Sequence, residues 1–236
     1  MARVRILGGE TGDLSELITT GVGYSIESVV FNSASGKGGA YSYKFTAATS
    51  DAGGGVAGIV LGLGLAGHCY VKTYIRFSND TQPVTNNCAY ILTGFYTAGF
   101  AANKGYLQIR QLVSDGSFVL DVVDALGGTP IANVAVSIVK NVWYRLEVDF
   151  LKGAGSGAMQ VYLDGVSKIN LTSQQFEAGN TDGIAFGGSF GTSDIDGRIL
   201  YFDDFEVDDA ALCGESYVIA RQFAIGTPTY DNWNKF

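Results

Sequence analysis

Apolar and polar residues alternate with a period of two along most of the chain. In the segment 70–77, Val71 and Ile75 share one face of a strand, and Lys72 and Arg76 share the other. The same alternation recurs in the segments 105–113, 117–124, 143–150, 158–165 and 198–209. Turn signals such as Asp-Gly and Ser-Gly separate these segments, and helical periodicity is nearly absent. The pattern predicts one all-β domain, a sandwich or barrel of short strands, in which only residues 172–179 favour a short helix or turn.

The composition indicates that the chain has apolar surface to cover. Of its 236 residues, 47% are apolar and 16% are charged, against about 25% charged in an average globular chain. The mean hydropathy is +0.17. A lone monomer has difficulty hiding this much apolar surface, so we expect subunit contacts and a homo-oligomer. The net charge of −8 disfavours nucleic acid as a partner, because nucleic-acid sites are basic.

Neither a membrane segment nor an export signal is predicted. The longest apolar run, residues 55–67, is shorter than the roughly 20 residues that span a bilayer. No sustained apolar run follows the two early arginines. The odd number of cysteines, Cys69, Cys88 and Cys213, favours reduced thiols and synthesis in the cytosol.

One long stretch resembles a known family of β-sandwiches. Trp143 opens a strand, a Gly-rich hairpin follows, and the next strand ends at Tyr162, Asp164 and Gly165. Together with residues 8–16 and 197–207, this stretch resembles the concanavalin A-like and laminin-G-like domains. The resemblance implies an antiparallel jelly-roll β-sandwich over residues 1–208. Residues 209–236 would then form a C-terminal strand and an extended tail.

A catalytic motif is nearly present in the same stretch. Laminarinase-type hydrolases, which share the fold, carry a nucleophile and an acid/base in the strand pattern Glu-x-Asp-x-x-Glu. Glu147 and Asp149 match the first two positions, but Lys152 stands at the third, and an ammonium cannot act as the carboxylic acid. His68 is the only histidine, which leaves little material for a Ser-His-Asp triad. We therefore predict that the chain is not an enzyme and that Glu147 faces solvent on an ordinary strand.

The resemblance also implies a cofactor. Many carbohydrate-binding jelly rolls share a structural calcium between a glutamate of the opening strand and an aspartate of the last strand. Glu10 and either Asp203 or Asp204 match those positions. Clustered hard oxygens of this kind are what calcium prefers. The alternative is that these carboxylates cap loops or face solvent.

Two functional classes fit these observations. The family includes non-enzymatic virion proteins of tailed bacteriophages, and an acidic chain without a signal peptide suits such a role. The first hypothesis is therefore a structural virion protein, made in the host cytoplasm, that serves in capsid decoration or in a tail or fibre and contacts other virion proteins. The alternative is a carbohydrate-binding module, in which exposed aromatic side chains such as Tyr70 and Tyr74 bind a glycan.

The C-terminal segment carries a further expectation. Tyr230, Trp233 and Phe236 are spaced three apart among polar residues. Burying an aromatic side chain contributes roughly 1.5–3 kcal/mol, so three of them favour a contact. The sequence therefore predicts that residues 209–236 form an arm that packs against a neighbouring subunit.

Overall fold

A computed structural model describes the chain in thirteen ranges: residues 3–7, 25–26, 28–32, 36–37, 41–46, 55–60, 63–78, 89–97, 103–112, 114–124, 129–177, 179–189 and 199–212. Every helix-or-strand element in these ranges is a β-strand. The strands are β1 Arg3–Leu7, β2 Ser25–Ile26, β3 Ser28–Asn32, β4 Ser42–Thr46, β5 Gly55–Val60, β6 His68–Phe77, β7 Ala89–Tyr96, β8 Asn103–Gln111, β9 Phe118–Asp124, β10 Pro130–Val136, β11 Tyr144–Leu151, β12 Gly153–Leu163, β13 Val166–Phe176, β14 Gly183–Ser189 and β15 Ile199–Asp208.

The strands form two sheets. Sheet A has the order β13-β12-β11-β6-β15-β4-β3, and β1 also pairs with β15. Sheet B has the order β10-β9-β8-β7-β14-β5-β2. All pairings are antiparallel except that of β2 with β5. The predicted antiparallel β-sandwich is confirmed. No helix of the described ranges is long and apolar enough to cross a bilayer.

Aromatic side chains join the two sheets across the core. Phe95 of sheet B stacks on Phe150 of sheet A with their ring centroids 4.1 Å apart. Two further contacts between the sheets pair Phe118 with Phe77 and Phe186 with Phe205. Each fully buried aromatic ring contributes about 1.5–3 kcal/mol relative to an exposed one. Each strand that contributes one of these aromatic side chains therefore turns the face that carries it toward the core.

A β-bulge in β15 places both of its central phenylalanines in the core. Phe202 and Phe205 are three residues apart, so strict alternation would put them on opposite faces. The register of β15 against β6 shifts between Asp203 and Glu206, and Asp204 has a φ of 46°. The extra residue restores the inward direction, and both rings are at most 1% exposed.

Residues 172–176 belong to β13, so the predicted helix or turn at 172–179 is wrong there. The polar residues of this segment lie on an edge strand, where exposure suits them, and Phe176 at its end is fully buried. The turn-like character appears as a local irregularity instead, since Ser173 has a φ of 57°. Strand β15 ends at Asp208. The predicted division at residue 208 stays a prediction, because residues 213–236 lie outside the described part.

Gly157 tests how tightly β12 and β13 pack. A Cβ atom at Gly157 would lie 2.7 Å from the Phe176 ring and 2.9 Å from the Gly153 carbonyl oxygen. Backbone atoms cannot give way cheaply, so Gly157→Ala should lower the free energy of unfolding by about 1–3 kcal/mol. Gly67→Ala is the matched control, because nothing lies within 4 Å of the added atom. Equal denaturation midpoints for the two variants would contradict this packing.

Candidate functional site

The side of sheet A that points away from sheet B is called the outer face. Its centre is β6, where Tyr70, Lys72, Tyr74 and Arg76 alternate with core residues, as the sequence predicts. The cross-strand register brings side chains of β11 and β15 beside each of them. Aromatic and charged groups therefore share this face, although they are far apart in sequence.

Lys72 lies between two glutamates on neighbouring strands. It pairs in register with Glu147 of β11 and with Glu206 of β15. Its Nζ donates to a Glu206 carboxylate oxygen at 2.9 Å. Lys72 is fully buried, and both glutamates are 4% exposed. The ammonium thus offsets the buried Glu206 carboxylate, and the Glu147 carboxylate pairs with Arg145, whose Nε lies 3.0 Å away; buried carboxylates are costly to leave unpaired.

Arg76 extends the charged row between two aromatic rings. Its guanidinium carbon lies 4.1 Å from the centroid of Tyr201 and 5.0 Å from that of Trp143. A guanidinium over a ring face is attracted by the ring's negative face. Trp143, which opens the stretch that resembles concanavalin A-like domains, therefore contacts a cation on the outer face.

An open depression surrounds Tyr74. It is lined by Lys37, Tyr74, Arg145 and Asp164 and has a volume of ≈ 230 Å³. The Lys37 ammonium lies 5.1 Å from the centroid of the Tyr74 ring. Lys37 and Asp164 are exposed, and Tyr74 and Arg145 are half-buried. The depression thus combines a ring, two cationic donors and one carboxylate.

The walls of this depression are held in place from both sides. Asp164 sits in the turn between β12 and β13, and its Oδ1 accepts the Arg145 backbone N–H at 2.7 Å. The Arg145 Nε lies 3.0 Å from a Glu147 carboxylate oxygen. These contacts fix the arginine before a ligand arrives, which lowers the cost of ordering it on binding.

Tyr70 occupies a different position, toward the start of β6. Its ring stacks on His68 with centroids 5.4 Å apart, and the His68 Nδ1 lies 2.7 Å from Asp149 Oδ1. Burial raises the pKa of the Tyr70 hydroxyl, and the charges of Asp149 and Asp208 act in the same direction. The hydroxyl therefore stays protonated at neutral pH. Tyr74 lies four positions further along the strand, about 13 Å from Tyr70.

The near-catalytic motif does not form an open pair of carboxylates. Glu147 lies on the outer face, but it is 4% exposed, so the expectation that it faces solvent is wrong. Its neighbours Arg145 and Lys72 cover it. Asp149 faces His68, and Lys152 donates from Nζ to the Asn180 side-chain oxygen at 2.9 Å. The absence of catalysis stays a prediction.

The calcium hypothesis gains no support from the described residues. Asp203 is 1% exposed. Its two oxygens accept the backbone N–H groups of Lys37 and Asp204 at 2.6 and 2.9 Å. No group of three or more metal-ligating side chains occurs in the described part. Glu10 lies outside it, so the donor set that the structure describes does not complete a calcium site.

Three predicted interface residues, Tyr230, Trp233 and Phe236, lie outside the described residues. Conversely, sequence reasoning gave no role to Lys37 and Arg145, which line the depression beside Tyr74. Arg145 carried a signal, since alternation puts it on the face opposite the core. Lys37 carried none, because its proximity to Tyr74 depends on the tertiary fold.

Comparisons with known proteins place the fold. No family model and no curated protein matches the sequence. The structure is similar to that of cellulose induced protein Cip1, with a TM-score of 0.59, 14% identity and coverage of 89% of this chain and 100% of that one. It is also similar to a structure described by the statement that cell entry of botulinum neurotoxin type C depends upon interaction with two ganglioside molecules. That match has a TM-score of 0.53 and 15% identity, and it covers 83% of this chain and 45% of the toxin chain.

A third match is the carbohydrate binding module CBM66 from Bacillus subtilis, with a TM-score of 0.45, 12% identity and coverage of 79% of this chain and 96% of that one. At these identities, the likeness to Cip1 and to the neurotoxin structure shows the fold alone, a β-sandwich.

The buried row on the outer face can be tested through Lys72. Lys72→Met leaves the Glu206 carboxylate buried without its ammonium, so the free energy of unfolding should fall by about 3–5 kcal/mol. Lys168→Met is the matched control, because half-buried Lys168 lies on edge strand β13 and should change stability by about 0.5 kcal/mol or less. Adding Glu206→Gln to Lys72→Met should recover part of the loss. Equal effects of the two single variants in chemical denaturation would refute the arrangement.

Proposed function

We propose that the chain is a non-catalytic carbohydrate-binding module that binds its glycan on the outer face of sheet A, with Tyr74 at the centre. The observation that carries the proposal is the depression in which Lys37, Arg145 and Asp164 surround the Tyr74 ring. Binding sites in proteins are concave and combine apolar surface with a few fixed polar groups. This depression has those features on a small scale.

The residues suit the chemistry of a sugar ring. A pyranose has an apolar C–H face, which can pack on the exposed part of the Tyr74 ring, and a rim of hydroxyl groups that donate and accept hydrogen bonds. Lys37 and Arg145 supply donors, and Asp164 supplies acceptors. Because Arg145 is already held by Glu147 and by the turn at Asp164, a sugar would meet a largely ordered site.

The comparisons support this proposal at the level of fold. One structure of similar fold is described through its interaction with gangliosides, and another protein is named for its induction by cellulose. Unrelated functions share common folds, so the argument for a glycan comes from the residues around Tyr74. Tyr70, the other tyrosine predicted to contact a glycan, lies on the same face and could extend the site along β6.

A structural role in a bacteriophage virion stays a prediction from the sequence. None of the three similar proteins is described as a virion component. The predicted contacts with other virion proteins, including the arm at residues 209–236, fall largely outside the described residues. Co-purification of the chain with native particles would support that role, and it is compatible with a glycan-binding face.

Tyr74→Ala tests the glycan proposal directly. On a glycan array followed by calorimetry, the intact chain should bind at least one glycan, and Tyr74→Ala should weaken that binding about tenfold or more. The expected cause is loss of the ring surface, since a buried aromatic contact is worth about 1.5–3 kcal/mol. Tyr162→Ala removes a half-buried tyrosine of the same face outside the depression and should leave the affinity nearly unchanged.

The two tyrosine variants also distinguish a specific site from general weakening. If both lose binding equally, the depression is not the site. A silent array at high protein concentration would refute the glycan proposal, provided that circular dichroism shows the β-fold.

Absence of hydrolase activity is a separate expectation. Glu147 is buried beside Arg145 and Lys72, so it should not reach a glycosidic bond. Prolonged incubation with laminarin should release no reducing ends. Release that disappears in Glu147→Gln would show that the chain is an enzyme.

A further inference from the structure

Strand β10 forms an open edge of sheet B. Among the described strands it pairs only with β9, and its side chains alternate between half-buried and exposed positions. Ala132 and Val134 pack against the core, while Ile131, Asn133 and Ala135 are exposed. As the last strand of sheet B, β10 has an outward row of backbone N–H and C=O groups that pairs with no other described strand.

Most of this edge lacks the usual protection against pairing. Residues 129–139 contain no charged side chain. The register against β9 shifts once, between Pro130 and Ala132, and then runs without irregularity to Val136. Proline at the start of the strand is also where it interferes least with pairing. Exposed edges in natural proteins are normally blunted by charges, bulges or internal prolines.

The neighbouring edge of sheet A shows what such protection looks like. Strand β13 lies beside β10 at the same side of the sandwich. It carries Lys168, its pairing with β12 has three register shifts, and Ser173 has a φ of 57°. These irregularities distort the row of backbone groups. The difference between the two edges singles out β10.

We propose that β10 pairs antiparallel with β10 of a second copy of this chain, so that the two B sheets become one continuous sheet. The outward backbone groups of an edge strand form a template to which another strand can add. About a two-fold axis, β10 of one copy lies opposite β10 of the other. Because the strand has no charged side chain, no like charges face each other across this pairing. Two chains of net charge −8 repel each other elsewhere, so an uncharged edge is the favourable place of approach.

An exposed apolar side chain of β10 adds surface to the contact. Ile131 is 36% exposed, and Val139 and Val142, in the segment that leads from β10 to sheet A, are 62% and 43% exposed. Burying such a side chain would contribute roughly 25 cal/mol for each Å² removed from water. The proposed dimer thus covers part of the apolar surface that the composition predicts to be shared between subunits.

The experiment compares charge added to each of the two edges. The intact chain should sediment as a dimer, with twice the 24.9 kDa chain mass, at concentrations of about 10–100 µM. Ile131→Lys combined with Ala135→Lys should raise the dimer dissociation constant about tenfold or more, because like charges would face each other. Ser167→Lys combined with Thr172→Lys adds the same charge to exposed positions of β13 and should not change it.

Amide hydrogen exchange identifies the strand itself. Amides of Ile131–Val136 that point outward should exchange more slowly at high than at low protein concentration, and those of β13 should not. A monomer at about 100 µM, a dimer unaffected by the β10 lysines, or equal effects of both double variants would overturn the proposal. Circular dichroism and thermal melting of each variant ensure that the comparison is made between folded proteins.

Discussion

Strand β6 must satisfy two different environments at once, and the sandwich is organised around that requirement. Its inward residues, such as Val71 and Ile75, are at most 1% exposed in the core between the sheets. Its outward residues meet side chains from β11 on one side and β15 on the other. Lys72 is the point where this arrangement is most demanding, because its ammonium is buried between two glutamates. A charge buried on this face is tolerated only with a partner, which Glu206 supplies to Lys72.

The same pairing gives the outer face its functional character. Charges that are held by neighbouring strands do not need to be ordered when a ligand binds. Arg145 is the cross-strand neighbour of Tyr74, its backbone N–H donates to Asp164 and its Nε lies 3.0 Å from Glu147, while the Lys37 ammonium lies 5.1 Å from the Tyr74 ring centroid. An outer face with polar side chains alone would offer hydrogen bonds to a sugar but no aromatic ring to pack against it. The depression combines an aromatic ring with charged hydrogen-bonding groups, which is what the proposed sugar site requires.

Much of the fold follows from the sequence, because alternation directly reports which side of a strand a residue occupies. The alternation predicted strands at β6, β11 and β12, and it placed Tyr70, Lys72 and Tyr74 on one face. Alternation does not report depth, so it could not show that Glu147 is buried beneath Arg145 and Lys72. It also fails where a strand breaks its own period, as at the Asp204 bulge, and where edge residues resemble a turn, as at Ser173.

The site was less predictable than the fold, because it joins residues from distant parts of the chain. Lys37 and Tyr74 are brought together by the pairing of strands between them, and no local pattern marks that contact. Pairs such as His68 with Asp149 depend in the same way on the register of β6 against β11. The comparisons add the fold but no residues, since their identities are 15% or lower for all three proteins described above.

The central claim is that a glycan binds on the outer face of sheet A at Tyr74. The most direct measurement is a two-dimensional NMR titration of the labelled chain with the glycan that binds it most tightly. The account predicts that the amide signals that shift belong to residues around Tyr74, Arg145 and Asp164, and that those of sheet B stay in place. Saturable shifts confined to sheet B, with the Tyr74 region unchanged, would contradict it.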